Sequence, residues 1–93
     1  MNGKLKFEGE YLNGQRNGKG KEYHYNNKLI FEGTFFKGNR NGKGKEYYYN
    51  NGKLKYEGEF LNGKRNGKGK EYNDNDELIF EGEYLNGERW NKE

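Results

Sequence analysis

Near the start of the chain Leu5, Phe7, Gly9 and Tyr11 alternate with Lys6, Glu8 and Glu10. A period of two with charge on the off-beat predicts a strand buried on one face only. The pattern returns: FEGE at Phe7–Glu10 comes back as FEGT from Phe31, YEGE from Tyr56 and FEGE from Phe80, at spacings of 24, 25 and 24 residues. Each run ends in a pair suited to a tight hairpin: Asn13-Gly14, Lys37-Gly38, Asn62-Gly63 and Asn86-Gly87. Asn and Gly tolerate the positive φ that such a turn demands. A second polar run follows, the octapeptide RNGKGKEY, identical at Arg16–Tyr23, Arg40–Tyr47 and Arg65–Tyr72. It reads as the returning strand. No stretch carries a helical period, and a chain with 16 Gly and no Ala disfavours helix further.

Repeats at this period indicate an array of one small unit. The units phase as Lys4–Asn27, Lys28–Gly52, Lys53–Asp76 and a shortened Glu77–Glu93. The fold expected is all-β: one domain over residues 1–93, an elongated single-sheet antiparallel β-hairpin solenoid. About seven strands are expected, four of the first kind and three of the second. The opening MNGK matches the turn at Asn51-Gly52-Lys53, so the chain is expected to begin inside a turn, as an excised or designed array would.

The glycines have a packing role. In an extended second strand Gly18 and Gly20 share one face, and Tyr23 and Tyr25 the other. One extra residue near Lys21-Glu22 in each of the first three units, a β-bulge, would bring the tyrosines across. On this reading Phe7, Tyr11, Tyr23, Phe31, Phe35, Tyr47, Tyr56, Phe60, Tyr72, Phe80 and Tyr84 form the aromatic floor of a trough. Side-chain-free positions on neighbouring strands leave room for the rings. They are Gly9, Gly18, Gly20, Gly33, Gly42, Gly44, Gly58, Gly67, Gly69 and Gly82. His24, Tyr48 and Asn73 are expected to face solvent. Trp90, where ERWNKE replaces the octapeptide, is expected to cap the end of the floor, since terminal repeats of solenoids are atypical.

Composition sharpens this picture. Leu, Ile, Val and Phe make up under a fifth of the chain, a level usual in disorder. A net charge of only +3 and nine Tyr argue for folding instead. Without Cys there is no disulfide or thiolate site, and without Ser no serine triad. The Gly-Lys-Gly centre fails as a phosphate loop: Gly14 to Gly18 is one residue short, Gly20 stands where Ser or Thr is needed, and no helix follows. NDND at Asn73–Asp76 fails as a calcium loop, with Ile79 where Gly belongs and Leu85 where Glu belongs. The FEGE glutamates alternate outward, away from any pocket that would raise a carboxyl pKa. The expectation is no catalysis, metal, cofactor or small-molecule substrate. No signal peptide or apolar span appears, which suits a cytoplasmic protein, peripheral to a membrane if it meets one at all.

Charge per unit runs +2, +3, +1 and −3. Acids and bases interleave, as on a solvated face of cross-strand pairs. Arg16, Arg40 and Arg65 nevertheless recur at equivalent points, with Lys19, Lys43 and Lys68 beside them. A row of this kind is a candidate contact for anionic phospholipid, at roughly 1 kcal/mol per basic residue. Nucleic acid is disfavoured, because the aromatics needed for stacking are required for packing.

YEGEFLNGKRNGKGKEY (Tyr56–Tyr72) resembles the membrane occupation and recognition nexus, or MORN, repeat: Y-x-G-x-[FYW], N-G, G-x-G and a closing aromatic, carried by Tyr56, Gly58, Phe60, Asn62, Gly63, Gly67, Gly69 and Tyr72. The units here are one residue longer than the common form, a difference the expected bulge absorbs. The resemblance implies an antiparallel hairpin solenoid. It implies a scaffold or adaptor that binds a protein, or itself, through trough or terminal strands, with anionic membrane as the alternative partner. A model repeat with no partner of its own is a further alternative.

Overall fold

The computed structural model describes residues 5–90. The expected turn at Met1–Lys4, the outer bounds of the first and last units and the side chain of Tyr25 lie outside the described residues.

Among the described residues eight strands form one open antiparallel sheet in chain order: β1 (Lys6–Leu12), β2 (Gln15–His24), β3 (Lys28–Phe36), β4 (Asn39–Tyr47), β5 (Leu54–Leu61), β6 (Lys64–Tyr72), β7 (Leu78–Leu85) and β8 (Glu88–Arg89). The expected seven strands gain an eighth of two residues, where ERWNKE begins as the octapeptide does and then departs from it. The body measures 42 × 29 × 18 Å.

Each first strand turns into its second through a two-residue loop with both φ positive, for example Asn13 at 51° and Gly14 at 82°. That is the hairpin turn whose twist matches the strands. Lys37 adopts the same conformation, at φ 49°, in the place Asn holds elsewhere. Successive turns are tied together: the amides of Gly38, Gly63 and Gly87 donate to the carbonyls of Arg16, Arg40 and Arg65 at 3.0, 2.9 and 2.8 Å.

The register runs through glycine. Gly9 pairs with Gly20, Gly20 with Gly33, Gly33 with Gly44, Gly44 with Gly58, Gly58 with Gly69 and Gly69 with Gly82. A side-chain-free stripe therefore crosses seven strands. At Gly33 an added Cβ would stand 2.6 Å from the Cα of Gly44, so the backbones themselves approach too closely for any larger residue.

Two irregularities recur. Within each of the first three hairpins the second strand bulges: Asn17, Gly18 and Lys19 of β2 stand against Glu10 alone, with Gly18 at φ 95°. The Glu10 carboxylate accepts the Lys19 amide at 3.0 Å, and Glu59 does the same for Lys68 at 3.2 Å. Between units, Glu22 pairs with Phe31 but Tyr23 with Leu29, so the extra residue is Ile30, on the following strand. Lys55 and Ile79 are its counterparts. The bulge thus lies beside the expected place but on the other strand of the pair. The second strand stays extended through Glu22 and Tyr23, and no tyrosine changes face.

Candidate functional site

The two faces of the sheet carry different chemistry. On one, eight rings form a continuous zigzag of edge-to-face contacts: Tyr11, Phe7, Phe35, Phe31, Phe60, Tyr56, Tyr84 and Phe80, with centroids 5.0–5.5 Å apart. This is the favoured geometry of aromatic pairs. Phe31 and Tyr56 are wholly buried, and Phe35, Phe60 and Tyr84 nearly so, without a second layer. Phe7 and Phe80 are half-buried and Tyr11 is exposed. The rings gain burial by standing over glycine on the next strand: Phe7 over Gly20, Phe31 over Gly44 and Tyr56 over Gly69.

Tyr23, Tyr47 and Tyr72, expected in this row, stand on the opposite face. Their hydroxyls donate to Glu8, Glu32 and Glu57 at 3.0, 2.8 and 3.4 Å. The place foreseen for them belongs to Glu22, Glu46 and Glu71, because no bulge shifts the second strand. A carboxylate is tolerated there because cations enclose it. Arg16 and Arg40 bind Glu22 at 2.9 and 2.8 Å, Arg40 and Arg65 bind Glu46 at 3.2 and 2.7 Å, and Arg65 and Arg89 approach Glu71 to 3.7 and 3.1 Å. The guanidinium groups also lie over Phe7, Phe31, Tyr56 and Phe80, at 4.4, 4.1, 4.4 and 4.7 Å from the ring centroids. Arginine suits both tasks, being planar, permanently charged and weakly hydrated.

Sequence reasoning missed Glu22, Glu46 and Glu71 as members of the row. The signal was present: an Arg and a Glu six residues apart in every copy of the octapeptide. The candidate lipid contacts do not form one patch. Arg16, Arg40 and Arg65 keep only 28, 22 and 17 % of their side chains exposed. Lys19, Lys43 and Lys68 project from the other face, where Lys19 pairs with Thr34, Lys43 with Glu59 and Lys68 with Glu83.

That other face holds a groove of about 1190 Å³, floored by the glycine stripe and flanked by charge. The trough is therefore lined by lysine and glutamate rather than by rings. Second strands contribute Lys-Gly-Lys and first strands Glu-Gly-Glu, except that Thr34 replaces one Glu and gives its hydroxyl to the Asn41 carbonyl. Trp90 is 45 % exposed, its amide bonded to the Glu83 carbonyl, while Arg89 covers Phe80. His24 packs edge-on against Tyr49, and the Tyr48 hydroxyl reaches the Tyr72 carbonyl at 2.7 Å, so both sit within packing rather than in open solvent. Asn73 is half-buried and caps its own turn, accepting the amides of Asn75 and Glu77.

Three units match the MORN repeat model, at residues 7–28, 31–53 and 56–77. The chain belongs to the MORN repeat family. No curated protein matches it in sequence. MORN repeats generally mediate protein or membrane interactions, and the family is typically non-catalytic. Among the described residues no helix is long and apolar enough to cross a membrane, and no group of three acidic or His side chains is placed to hold a metal ion.

Tyrosines on both faces of this MORN sheet carry a pH signature. Burial pushes Tyr56 up to about 12; burial and then a hydrogen bond to a carboxylate do the same for Tyr47 and Tyr84. Free tyrosine titrates at about 10. A phenol raised in the folded state contributes stability that is complete below the unfolded value and lost as pH rises through the folded one. Ultraviolet titration is therefore expected to show phenols ionising near 12 in the folded chain. All should ionise near 10 in denaturant, with alkaline unfolding between about 10 and 12. A single folded transition at about 10 would contradict the burial. At the acid end, burial pulls Glu71 up, but hydrogen bonds from Tyr84 and Arg89 outweigh it and hold the carboxyl below its usual range. Its contribution is present at neutral pH and lost as pH falls through the lowered value.

Proposed function

We propose that the chain is a non-catalytic scaffold that holds other polypeptides along the open edges of its sheet. What supports this reading is the state of the end strands. Among the described residues the outer side of β1 carries no strand, and β8 with the Trp90 amide covers β7 at Glu83–Leu85 and leaves Leu78–Gly82 bare. Unpaired backbone of this kind accepts an added strand. The arginines that would have served a membrane surface are engaged with carboxylates and rings, so the membrane reading lacks a patch.

The test is a selection of random peptides displayed against the intact chain, followed by amide hydrogen exchange of the complexes. Binders are expected to slow exchange in β1 or β7. Binders that protect only the groove, or a selection that returns none, would overturn the edge reading.

A further inference from the structure

The strands alternate in chemistry as well as direction. On the groove face first strands are acidic and second strands basic, and the glycine register sets them against each other. Lys45 stands between Glu32 and Glu57, and Lys70 between Glu57 and Glu81. On the ring face each first strand supplies rings and each second strand supplies glycine and a carboxylate: Phe31 lies between Glu22 and Glu46. A first strand inside the sheet thus has a basic, glycine-bearing strand on both sides. β7 has one only on the side of β6. Along Leu78–Gly82 its outer side is bare among the described residues, and Phe80 is half-buried where its counterparts Phe31 and Tyr56 are wholly so.

We infer that this edge is an acceptor for a basic extended segment of another protein carrying Lys-Gly-Lys. It docks antiparallel to β7 with its glycine opposite Gly82, its following lysine opposite Glu81 and a carboxylate opposite Phe80. The pairing of β5 with β6 supplies the template, Gly58 against Gly69, Glu57 against Lys70 and Tyr56 against Glu71. A second copy of the chain is the wrong occupant, because both of its end strands are acidic. Setting Gly82 against Gly9 of a copy would face Glu81 with Glu10 and Glu83 with Glu8, and like charges directly opposite are unfavourable. The inference rests on the reading of the edges as docking sites and narrows it to one chemistry.

The probe is the blocked hexapeptide GKGKEY, the sequence of Gly67–Tyr72, titrated to millimolar concentration into the intact chain and followed by amide chemical shifts. Binding is expected to move the amides of Leu78–Gly82. Gly→Val at the peptide position equivalent to Gly69 should weaken it at least tenfold, since the ring of Phe80 needs that space. Lys→Glu at the position equivalent to Lys70 should weaken it likewise. Glu81→Lys in the chain, an exposed position, should reverse the preference between the two peptides. Absence of binding, equal affinity for the Val peptide, or no reversal with Glu81→Lys would overturn the inference. The edge reading falls separately, if the random selection finds no edge binders; edge binders without Lys-Gly-Lys chemistry would overturn this inference alone.

Discussion

A Phe31→Ala variant is expected to lose about 3–5 kcal/mol of folding stability. In a chain of 93 residues this lowers the melting midpoint by more than about 12 °C. Phe31 is wholly buried, touches Phe35 and Phe60 edge-on, fills the space over Gly44 and carries the Arg40 guanidinium. Truncation removes all of these contacts and leaves a cavity that an open single-layer sheet collapses by losing twist or pairing. Phe36, the next ring but one in sequence beyond Thr34, is 53 % exposed. Phe36→Ala is expected to change stability by less than about 0.5 kcal/mol. Thermal melts of the two variants side by side read the difference. Similar losses for both would contradict the division of rings between the core row and the surface.

Gly44→Ala is the complementary experiment and is expected to cost about 3 kcal/mol, the upper end of the overpacking range. The new Cβ would stand 2.5 Å from the Phe31 ring, and the backbone there is held by strands on both sides, so neither partner can retreat. The mechanism is separable from a general glycine effect by combining substitutions. In a Phe31→Leu background the same Gly44→Ala change should cost less, because the shorter side chain vacates the space. The coupling energy is expected to be about 1–3 kcal/mol and to favour the pair. Strict additivity would show that Gly44 serves some purpose other than seating the ring.

These expectations show which parts of the molecule are legible in its sequence. Strand, turn and strand follow from the two-residue alternation and the Asn-Gly pairs, because those signals are local and depend on few neighbours. The seating of Phe7, Phe31 and Tyr56 over glycine follows from parity within a strand. The side occupied by Tyr23, Tyr47 and Tyr72 does not. It depends on whether an extra residue enters the second strand or the one after it, and the spacing between units is the same in either case. Only the pairing, with Ile30 rather than a residue of β2 as the odd one out, decides it. Glu22 was hidden for a related reason. A carboxylate among rings looks wrong by polarity, and it is made acceptable by arginines 6 residues before and 18 after it, one of them from another unit. The same displacement moved the trough: with glutamate and arginine on the ring face, the concave groove falls to the lysine and glutamate side.

The split of the cations belongs to this lesson. Arg16 and Lys19 are close in sequence, and a row of both looked suited to an anionic surface. Three residues apart on one strand, they fall on opposite faces, the arginine over a ring and the lysine in the groove. Alternating acidic and basic strands then account for the interior pairing and for the unmet demand at the ends with one rule.

The physical claim beneath all of this is that bulky rings on first strands occupy the space left by glycine on the neighbouring second strands. The nuclear Overhauser effect between the ring ζ proton of Phe31 and the α protons of Gly44 tests it most directly. A strong cross-peak is expected there, with an equivalent one between Phe7 and Gly20. Absence of both peaks, with the Phe31 ring protons at the shifts of a solvent-exposed phenylalanine, would contradict the account.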